Sequence, residues 1–215
     1  MPLVLHFPRG AIDPDQIEQA AELLAGGAVA IFPTETVYGI GAAIDRPDAV
    51  ARVFALKRRD PALPLMAHCS GPNQLALVTD RIPEIALRLV QCFWPGPLAL
   101  VFRRAASLSG VVTGGAPTIG VRMVSHPVTQ NLIARLGRPL AGTSANYHAE
   151  PDTADFTLLD AELVSTVDLA LDAGICGSGR ASTVLDCTGE EPRLIRPGAV
   201  PVAEIEPVIG HTLAR

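Results

Sequence analysis

Two pairs of polar residues have the types and the spacing that suit binding of a polyphosphate. Lys57 and Arg59 follow a predicted helix, and residues two apart in an extended chain point the same way, so the two cations are expected to project together. Ser144 and Asn146 have the same spacing beyond an apolar strand, and both side chains can donate hydrogen bonds to phosphate or ribose oxygens. Each pair alone also has a structural explanation, because cations favour helix C-termini and Ser and Asn form turns.

A third group of polar side chains lies in the stretch FPTETVYGIGA, residues 32–42. If this loop is extended, Thr34, Thr36 and Tyr38 place three hydroxyls along one side. Turn capping by threonine explains a lone Thr-Glu-Thr. Three aligned hydroxyls shift the prediction towards a ligand.

Four further residues are weaker candidates when each is taken alone. Arg122 closes the apolar strand TIGVR, where an unpaired charge is costly to desolvate, so it faces either solvent or an anion. His68 follows PLMA, and a histidine there is more often a satisfied core or edge residue than a ligand. Ser182 in STVLD and Arg196 in IRPG carry no signal of their own.

Several common kinds of site are absent from the sequence. No Walker A motif is present, no G-x-G-x-x-G follows a predicted strand, and no Ser/His/Asp triad can be read from spacing. The four cysteines form no C-x-x-C pair and no zinc spacing, so free thiols in a reducing cytosol are expected.

The composition indicates a globular protein with a large core. Of the 215 residues, 48% are hydrophobic and 18% charged, with a formal net charge of −5. A protein that grips nucleic acid usually has a basic surplus, so this charge disfavours that function. With no signal-peptide pattern and no apolar run of membrane-spanning length, we expect a soluble, cytoplasmic protein without membrane contact.

The candidate residues are positioned by alternating helices and strands, which indicates one α/β domain on a mixed sheet. The first helix has a complete start signal, with Asp13 as N-cap, Pro14 as the first helical residue and Gln16 as capping-box partner. The predicted helices cover residues 13–27, 47–57, 80–94, 126–137 and 201–211. The predicted strands lie within residues 3–7, 28–32, 64–68, 98–102, 118–123, 139–146, 168–174, 182–187 and 193–198.

Seven stretches in order resemble the threonylcarbamoyl-AMP synthase family with the YrdC-like fold. They are FPTETVYGIGA, ALKRRDPALPLMAH, FWPGPLALVF, TGGAPTIGVRMVSHP, PLAGTSAN, ASTVLD and LIRPGAV, and the resemblance runs from about residue 11 to 200. It implies one YrdC-like domain over residues 1–215, with a large twisted mixed sheet and a concave ligand cavity. Because the chain stops near Arg215, the extra C-terminal domain of longer members is expected to be absent.

The same resemblance implies an activity and its partners. Members condense L-threonine, bicarbonate and ATP, with Mg²⁺ accompanying ATP, into threonylcarbamoyl-adenylate and release pyrophosphate. A downstream tRNA threonylcarbamoyl transferase uses the product to modify adenosine 37 of tRNA. By resemblance, Lys57, Arg59, Ser144 and Asn146 surround the triphosphate as the catalytic set, Thr118 and Arg196 contact the nucleotide, and Thr34, Thr36, Tyr38, His68, Arg122 and Ser182 hold threonine.

Two departures from the family pattern leave alternatives open. Asp60 stands where the family has proline, and its carboxylate is placed to pair with Arg59 and weaken the hold on phosphate. Residues 147–150 replace a small residue and glycine after Asn146. The alternatives are a protein of the same fold that binds double-stranded RNA or tRNA, and a paralogous enzyme acting on a different amine or carbamoyl substrate.

Overall fold

A computed structural model describes residues 1–214. Its ten strands are β1 (Leu3–His6), β2 (Ala30–Phe32), β3 (Gly39–Ala43), β4 (Met66–Cys69), β5 (Leu98–Arg103), β6 (Thr118–Met123), β7 (Leu140–Ser144), β8 (Leu169–Asp172), β9 (Thr183–Asp186) and β10 (Arg193–Arg196). Its helices are α1 (Pro14–Ala25), α2 (Pro47–Leu56), α3 (Glu84–Phe93), α4 (Pro127–Leu136), α5 (Ala161–Thr166) and α6 (Val202–Ile209). Short 3₁₀ helices cover Pro8–Gly10, Pro72–Leu77, Gly110–Thr113 and Phe156–Leu158.

All ten strands join one mixed sheet in the order β1-β8-β2-β3-β7-β4-β6-β5-β9-β10. The pairs β1/β8, β2/β8, β4/β6 and β5/β9 are parallel, and the remaining neighbours are antiparallel. The predicted α/β fold with a large mixed sheet is therefore confirmed. No described helix has both the length and the apolar character needed to cross a membrane.

Most of the predicted elements are present, and their local signals explain them. Asp13 caps α1 by accepting hydrogen bonds from the backbone N–H groups of Asp15 and Gln16. The Gln16 side-chain amide donates to the Asp13 carboxylate at 3.0 Å, so the second bond of the capping box goes to the N-cap side chain and not to its backbone N–H. Gly137 ends α4 in the left-handed conformation that glycine adopts readily.

The sequence analysis missed two elements, β3 and α5. The stretch of residues 32–42 is interpreted as a loop from its sequence, yet Gly39–Ala43 forms a fully buried strand between β2 and β7. Helix α5 has only six residues, with Asp160 as its N-cap, and too short a run to show a helical period.

Helices cover both faces of the sheet. Because successive side chains of a strand point to opposite faces, the core consists of two hydrophobic clusters, one on each face. In β2, Ile31 joins the larger hydrophobic cluster, which includes residues of α2, α3, α5 and α6. Phe32 points the opposite way, into a smaller cluster with α1 and α4. In β6, Ile119 and Val121 face the larger cluster, so Thr118, Gly120 and Arg122 face the other side. That side is where the candidate site lies.

Strands β3 and β7 approach closely because glycines face each other. Gly41 pairs with Gly142, and a Cβ added at Gly41 would lie 2.4 Å from the carbonyl oxygen of Ala141. A backbone atom cannot yield as a flexible side chain does, so only glycine fits there. At Gly120 the nearest atom to an added Cβ is in the Met66 side chain, at 3.6 Å.

We therefore expect Gly41→Ala to lower the free energy of unfolding by about 2–3 kcal/mol, as overpacking does. Gly120→Ala is the matched control and is expected to stay within about 1 kcal/mol of wild type, because its Cβ meets no clash. Urea denaturation of the three proteins measures this. Equal destabilisation by both substitutions would contradict the role given to close strand approach.

Candidate active site

A cavity of about 420 Å³ lies over one face of the sheet and is lined by residues of β4, β5, β6, β7, β9 and β10. Its wall mixes arginines, hydroxyls and small apolar side chains. Twelve site residues were predicted, and eight of them line this cavity: Thr36, Arg59, His68, Thr118, Arg122, Ser144, Ser182 and Arg196. Residues distant in sequence therefore converge on one concave surface. The other four, Thr34, Tyr38, Lys57 and Asn146, do not line it.

Arg122 is the most buried cation of the cavity wall. The residue is 4% exposed, and it pairs with His68 across the parallel strands β6 and β4. Its Nη1 donates to Thr36 Oγ1 at 3.0 Å and lies 3.2 Å from Glu35 Oε1. Burial lowers the pKa of Arg122, the Glu35 carboxylate opposes that shift, and Arg196 adds to it. The guanidinium is thus held beside one carboxylate and near a second arginine.

His68 lies beside Arg122 as a neutral imidazole. Burial lowers its pKa to about 3, and the nearby Arg122 charge contributes to the same shift. Its ring meets the ring of Phe32 edge-on, with centroids 5.6 Å apart. A neutral imidazole can donate or accept a hydrogen bond without adding charge to a wall that is already cationic.

Three buried nitrogens on cavity-lining residues have no hydrogen-bond partner within the described part of the chain. They are Nε of Arg59, Nδ1 of His68 and Nε of Arg122. Buried polar groups are almost always paired, so each such group requires an explanation. Two of the three are guanidinium N–H donors, which pair most strongly with anionic acceptors.

Arg59 and Arg196 complete the cationic wall. Arg59 Nη2 donates to the carbonyl of Pro64 at 3.2 Å, which holds the side chain across the cavity edge. Arg196 donates to the carbonyl oxygen of Ser182 at 2.9 Å and to its hydroxyl at 3.2 Å. Together with Arg122 they place three guanidinium groups on the wall, which also carries the carboxylate of Asp152. The cavity therefore favours a negatively charged ligand.

Lys57 takes a different place from the predicted one. It is 2% exposed, and its ammonium donates to the carbonyl oxygen of Ser144 at 2.5 Å, to the carbonyl of Asn146 and to Asn146 Oδ1 at 3.3 Å. Burial lowers the Lys57 pKa to about 8, with a further contribution from the charge of Arg59. The prediction that both cations project together into one site is wrong in this respect: Arg59 reaches the cavity, and Lys57 braces the segment after β7.

Asn146 belongs to the same braced segment. Its Oδ1 accepts a hydrogen bond from the Ser144 hydroxyl at 2.5 Å, and its Nδ2 donates to the carbonyl of Glu150. Ser144 lines the cavity, whereas Asn146 does not line it and bonds the Ser144 hydroxyl. The spacing of two residues thus joins the two side chains to each other instead of presenting both to a ligand.

The loop after β2 also differs from the expected row of three hydroxyls. Thr34 Oγ1 donates to the carbonyl of Val37 at 2.6 Å and accepts from the backbone N–H groups of Thr36 and Val37, so it caps a turn. Tyr38 is fully buried and its hydroxyl bonds the backbone of Ala173 and Gly174. Thr36 alone presents its hydroxyl to the cavity wall, because the turn rotates the chain between successive residues.

Asp60 does not form the expected ion pair with Arg59, although its charge opposes the lowering of the Arg59 pKa by burial. Asp60 Oδ1 accepts a hydrogen bond from the backbone N–H of Ala62 at 2.9 Å, and no ion pair joins it to Arg59 among the described residues. Residues 147–150 do not line the cavity. Tyr147 instead packs beneath Arg58, whose guanidinium carbon lies 4.4 Å from the ring centroid.

Sequence reasoning missed two carboxylates and two glycines of the site. Glu35 carries no signal of its own in the sequence, although a buried arginine needs a counter-charge. Asp152 lies in a segment with no periodic pattern. Gly120 and Gly142 line the cavity, where the lack of a side chain leaves room for a ligand.

A mixed sheet with a concave arginine-lined cavity defines an α/β protein whose cavity suits a small anionic ligand. Comparison with protein families narrows this class. The family model Sua5/YciO/YrdC, described as telomere recombination, matches residues 22–198, and the chain belongs to this family. The resemblance seen in the seven sequence stretches is confirmed.

Curated relatives and solved structures agree with this assignment. The chain is 39% identical over 203 residues to the threonylcarbamoyl-AMP synthase of Pyrococcus abyssi, a match covering 94% of this chain and 60% of that protein. It is 40% identical over 199 residues to the enzyme of that name from Bacillus subtilis, covering 92% and 57%. The crystal structure of P. abyssi Sua5 complexed with L-threonine matches with a TM-score of 0.92 and 36% identity, over 100% of this chain and 62% of that chain. The chain spans 60% and 57% of the lengths of the two curated relatives.

The position of Lys57 gives a test of its bracing contacts. We expect Lys57→Met to lower the free energy of unfolding by about 2–4 kcal/mol, because it leaves the buried carbonyls of the segment after β7 without a donor. Urea denaturation measures the change. Arg58→Met, which breaks an exposed contact with Glu162, is the control and should cost less than about 1 kcal/mol. A Lys57→Met protein as stable as wild type would show that the contacts contribute nothing.

Proposed function

We propose that this chain is a threonylcarbamoyl-AMP synthase. It condenses L-threonine, bicarbonate and ATP into threonylcarbamoyl-adenylate and releases pyrophosphate. The product then serves a tRNA threonylcarbamoyl transferase that modifies adenosine 37 of tRNA. Family membership and the names of the relatives support this proposal. The observation that carries it is the convergence of three arginines, Arg59, Arg122 and Arg196, on one concave cavity wall.

In this proposal Arg122 binds the carboxylate of threonine, because a guanidinium fork matches a carboxylate and the burial of Arg122 strengthens the interaction. Thr36, His68 and Ser182 lie on the same wall and offer hydroxyl and imidazole groups to the amino acid. A relative supports this assignment, since P. abyssi Sua5 has been solved in complex with L-threonine.

The nucleotide takes the remaining part of the wall. Arg59, Arg196 and Ser144 supply cations and a hydroxyl for the phosphates, and Thr118 lies on the same face of β6 as Arg122. Among the described residues, no group of three or more His, Cys, Asp or Glu side chains is placed to bind a metal ion. In this proposal Mg²⁺ accompanies ATP.

In this reaction the protein mainly positions the reactants and supplies positive charge. The threonine amine and bicarbonate form a carbamate with loss of water, and a carbamate oxygen attacks the α-phosphorus of ATP. The bond from that phosphorus to the bridging oxygen breaks, and pyrophosphate leaves with the electron pair. Negative charge develops on the phosphoryl oxygens in the transition state. Fixed cations such as Arg59 therefore stabilise the transition state more strongly than the ground state.

We expect pyrophosphate release with L-threonine, less with L-serine, and little with L-valine. Valine is nearly isosteric with threonine, but a site that hydrogen-bonds a hydroxyl is left with unpaired buried groups when the hydroxyl is missing. Discrimination on the order of ten-thousandfold is within reach of such a site. The assay supplies ATP, bicarbonate and one amino acid at a time. Equal rates with valine and threonine would overturn the threonine assignment.

We further expect Arg59→Ala to reduce the rate of adenylate formation on the order of a hundredfold, because it removes a cation from the developing charge. Arg58→Ala is the matched control, since the Arg58 side chain lies outside the cavity against Tyr147 and Glu162. Both variants are compared with wild type in the pyrophosphate assay at saturating threonine. Near-wild-type turnover in Arg59→Ala would exclude Arg59 from the phosphate site.

A further inference from the structure

Glu35 is a nearly buried carboxylate that lies next to the cavity without lining it. Its side chain is 16% exposed, and it sits between Thr34 and Thr36 in the loop from β2 to β3. Oε2 accepts a hydrogen bond from the backbone N–H of Ser125 at 3.1 Å. Oε1 lies 3.2 Å from Arg122 Nη1. The carboxylate thus connects the end of β6 with the loop that follows β2.

The loop that carries Glu35 is fixed from several sides. The Thr129 hydroxyl of α4 donates to the carbonyl of Pro33 at 2.5 Å. From the opposite direction, the backbone N–H of Ser178 donates to the carbonyl of Glu35 at 3.1 Å. Because backbone contacts hold the loop, the Glu35 carboxylate has a defined position from which it can orient another side chain.

The ion pair with Glu35 engages only the Nη1 end of the Arg122 guanidinium. Nη1 bonds Thr36 and faces Glu35, whereas the buried Nε has no partner within the described residues. A guanidinium is planar and rigid, so fixing Nη1 fixes the direction of its other N–H groups. The carboxylate also supplies the counter-charge that a buried cation requires.

We propose that Glu35 is a positioning residue, which holds the Arg122 guanidinium in place and charged for the carboxylate of the amino-acid substrate. This inference rests on the proposed function, because it takes Arg122 as the carboxylate ligand. Glu35 itself does not touch substrate in this proposal. Its effect is therefore expected on carboxylate recognition and not on binding of the nucleotide.

The decisive comparison uses Glu35→Gln with two ligands, L-threonine and L-threoninol, which carries an alcohol in place of the carboxylate. The amide keeps the volume of Glu35 and an acceptor for Ser125, but it removes the negative charge. We expect the Kd for threonine to rise on the order of ten- to a hundredfold, as for loss of a hydrogen bond to a charged group. The Kd values for threoninol and ATP should change less than about threefold. Titration calorimetry measures all three.

A double-mutant cycle separates positioning from a general structural effect. In an Arg122→Ala background, Glu35→Gln should cause no further loss of threonine binding, because the residue through which it acts is gone. Glu35→Asp keeps the charge and should restore part of the discrimination between threonine and threoninol. Glu162→Gln, which breaks the exposed pair with Arg58, is the control and should leave all the Kd values unchanged.

The possible results have distinct meanings. If wild-type protein binds no threonine, the proposed function fails and the role of Glu35 fails with it. If wild type binds threonine and Glu35→Gln keeps full discrimination against threoninol, the positioning role alone is overturned. The same conclusion follows if threonine, threoninol and ATP all weaken equally. Should Glu35→Gln not fold, as judged by thermal melting, Glu35→Ala replaces it, and an unchanged threonine-to-threoninol ratio in Glu35→Ala overturns the proposal.

Discussion

The burial of one guanidinium, that of Arg122, is the constraint on which the candidate site depends. A buried cation is costly to desolvate, so its position requires a counter-charge and hydrogen-bond acceptors nearby. Glu35 and Thr36 provide these, and both come from the loop between β2 and β3. The end of β6 and this loop must therefore lie together, although about 86 residues separate Thr36 and Arg122 in sequence.

The rest of the structure brings that loop to Arg122 and keeps it there. Gly177 packs so closely against the loop that an added Cβ would lie 2.5 Å from the carbonyl oxygen of Thr36. Next to it, Gly179 donates its backbone N–H to the same carbonyl at 2.9 Å. Tyr38, which sequence spacing assigned to the ligand, instead ties the loop to the backbone at the end of β8 through Ala173. The tyrosine supports the site indirectly by fixing the segment that encloses it.

Sequence patterns predicted most of the elements, because these depend on local periodicity, whereas Thr118 was assigned to the site only by the family resemblance. Thr118 and Arg122 share a face since β6 is a regular strand, and the structure places both on the cavity wall. Patterns failed where distant groups decide the direction of a side chain. Lys57 turns towards the carbonyl of Ser144, 87 residues away, and no local signal encodes that contact. β3 was missed for a related reason. Its glycine Gly41 is required by the close packing of β3 against β7, a distant segment, and not by a turn.

Charge in this protein is organised locally, which reconciles an anion-binding cavity with a net charge of −5. Several surface arginines are neutralised by nearby carboxylates, as in the pairs of Arg52 with Asp168 and Arg58 with Glu162. Within the described chain, by contrast, Arg59 and Arg196 have no carboxylate at ion-pair distance, and they share a concave wall with Arg122.

Three cations on a concave wall act differently from an extended basic surface. A long nucleic-acid backbone is bound by many spread charges, which the overall composition does not supply. A compact cluster with low-dielectric walls instead concentrates its field on a ligand of a few charges, such as a nucleotide triphosphate beside an amino-acid carboxylate. The fold thus supports recognition of a small anion through the placement of a few arginines, and an acidic surface elsewhere does not oppose it because solvent and salt screen distant charges.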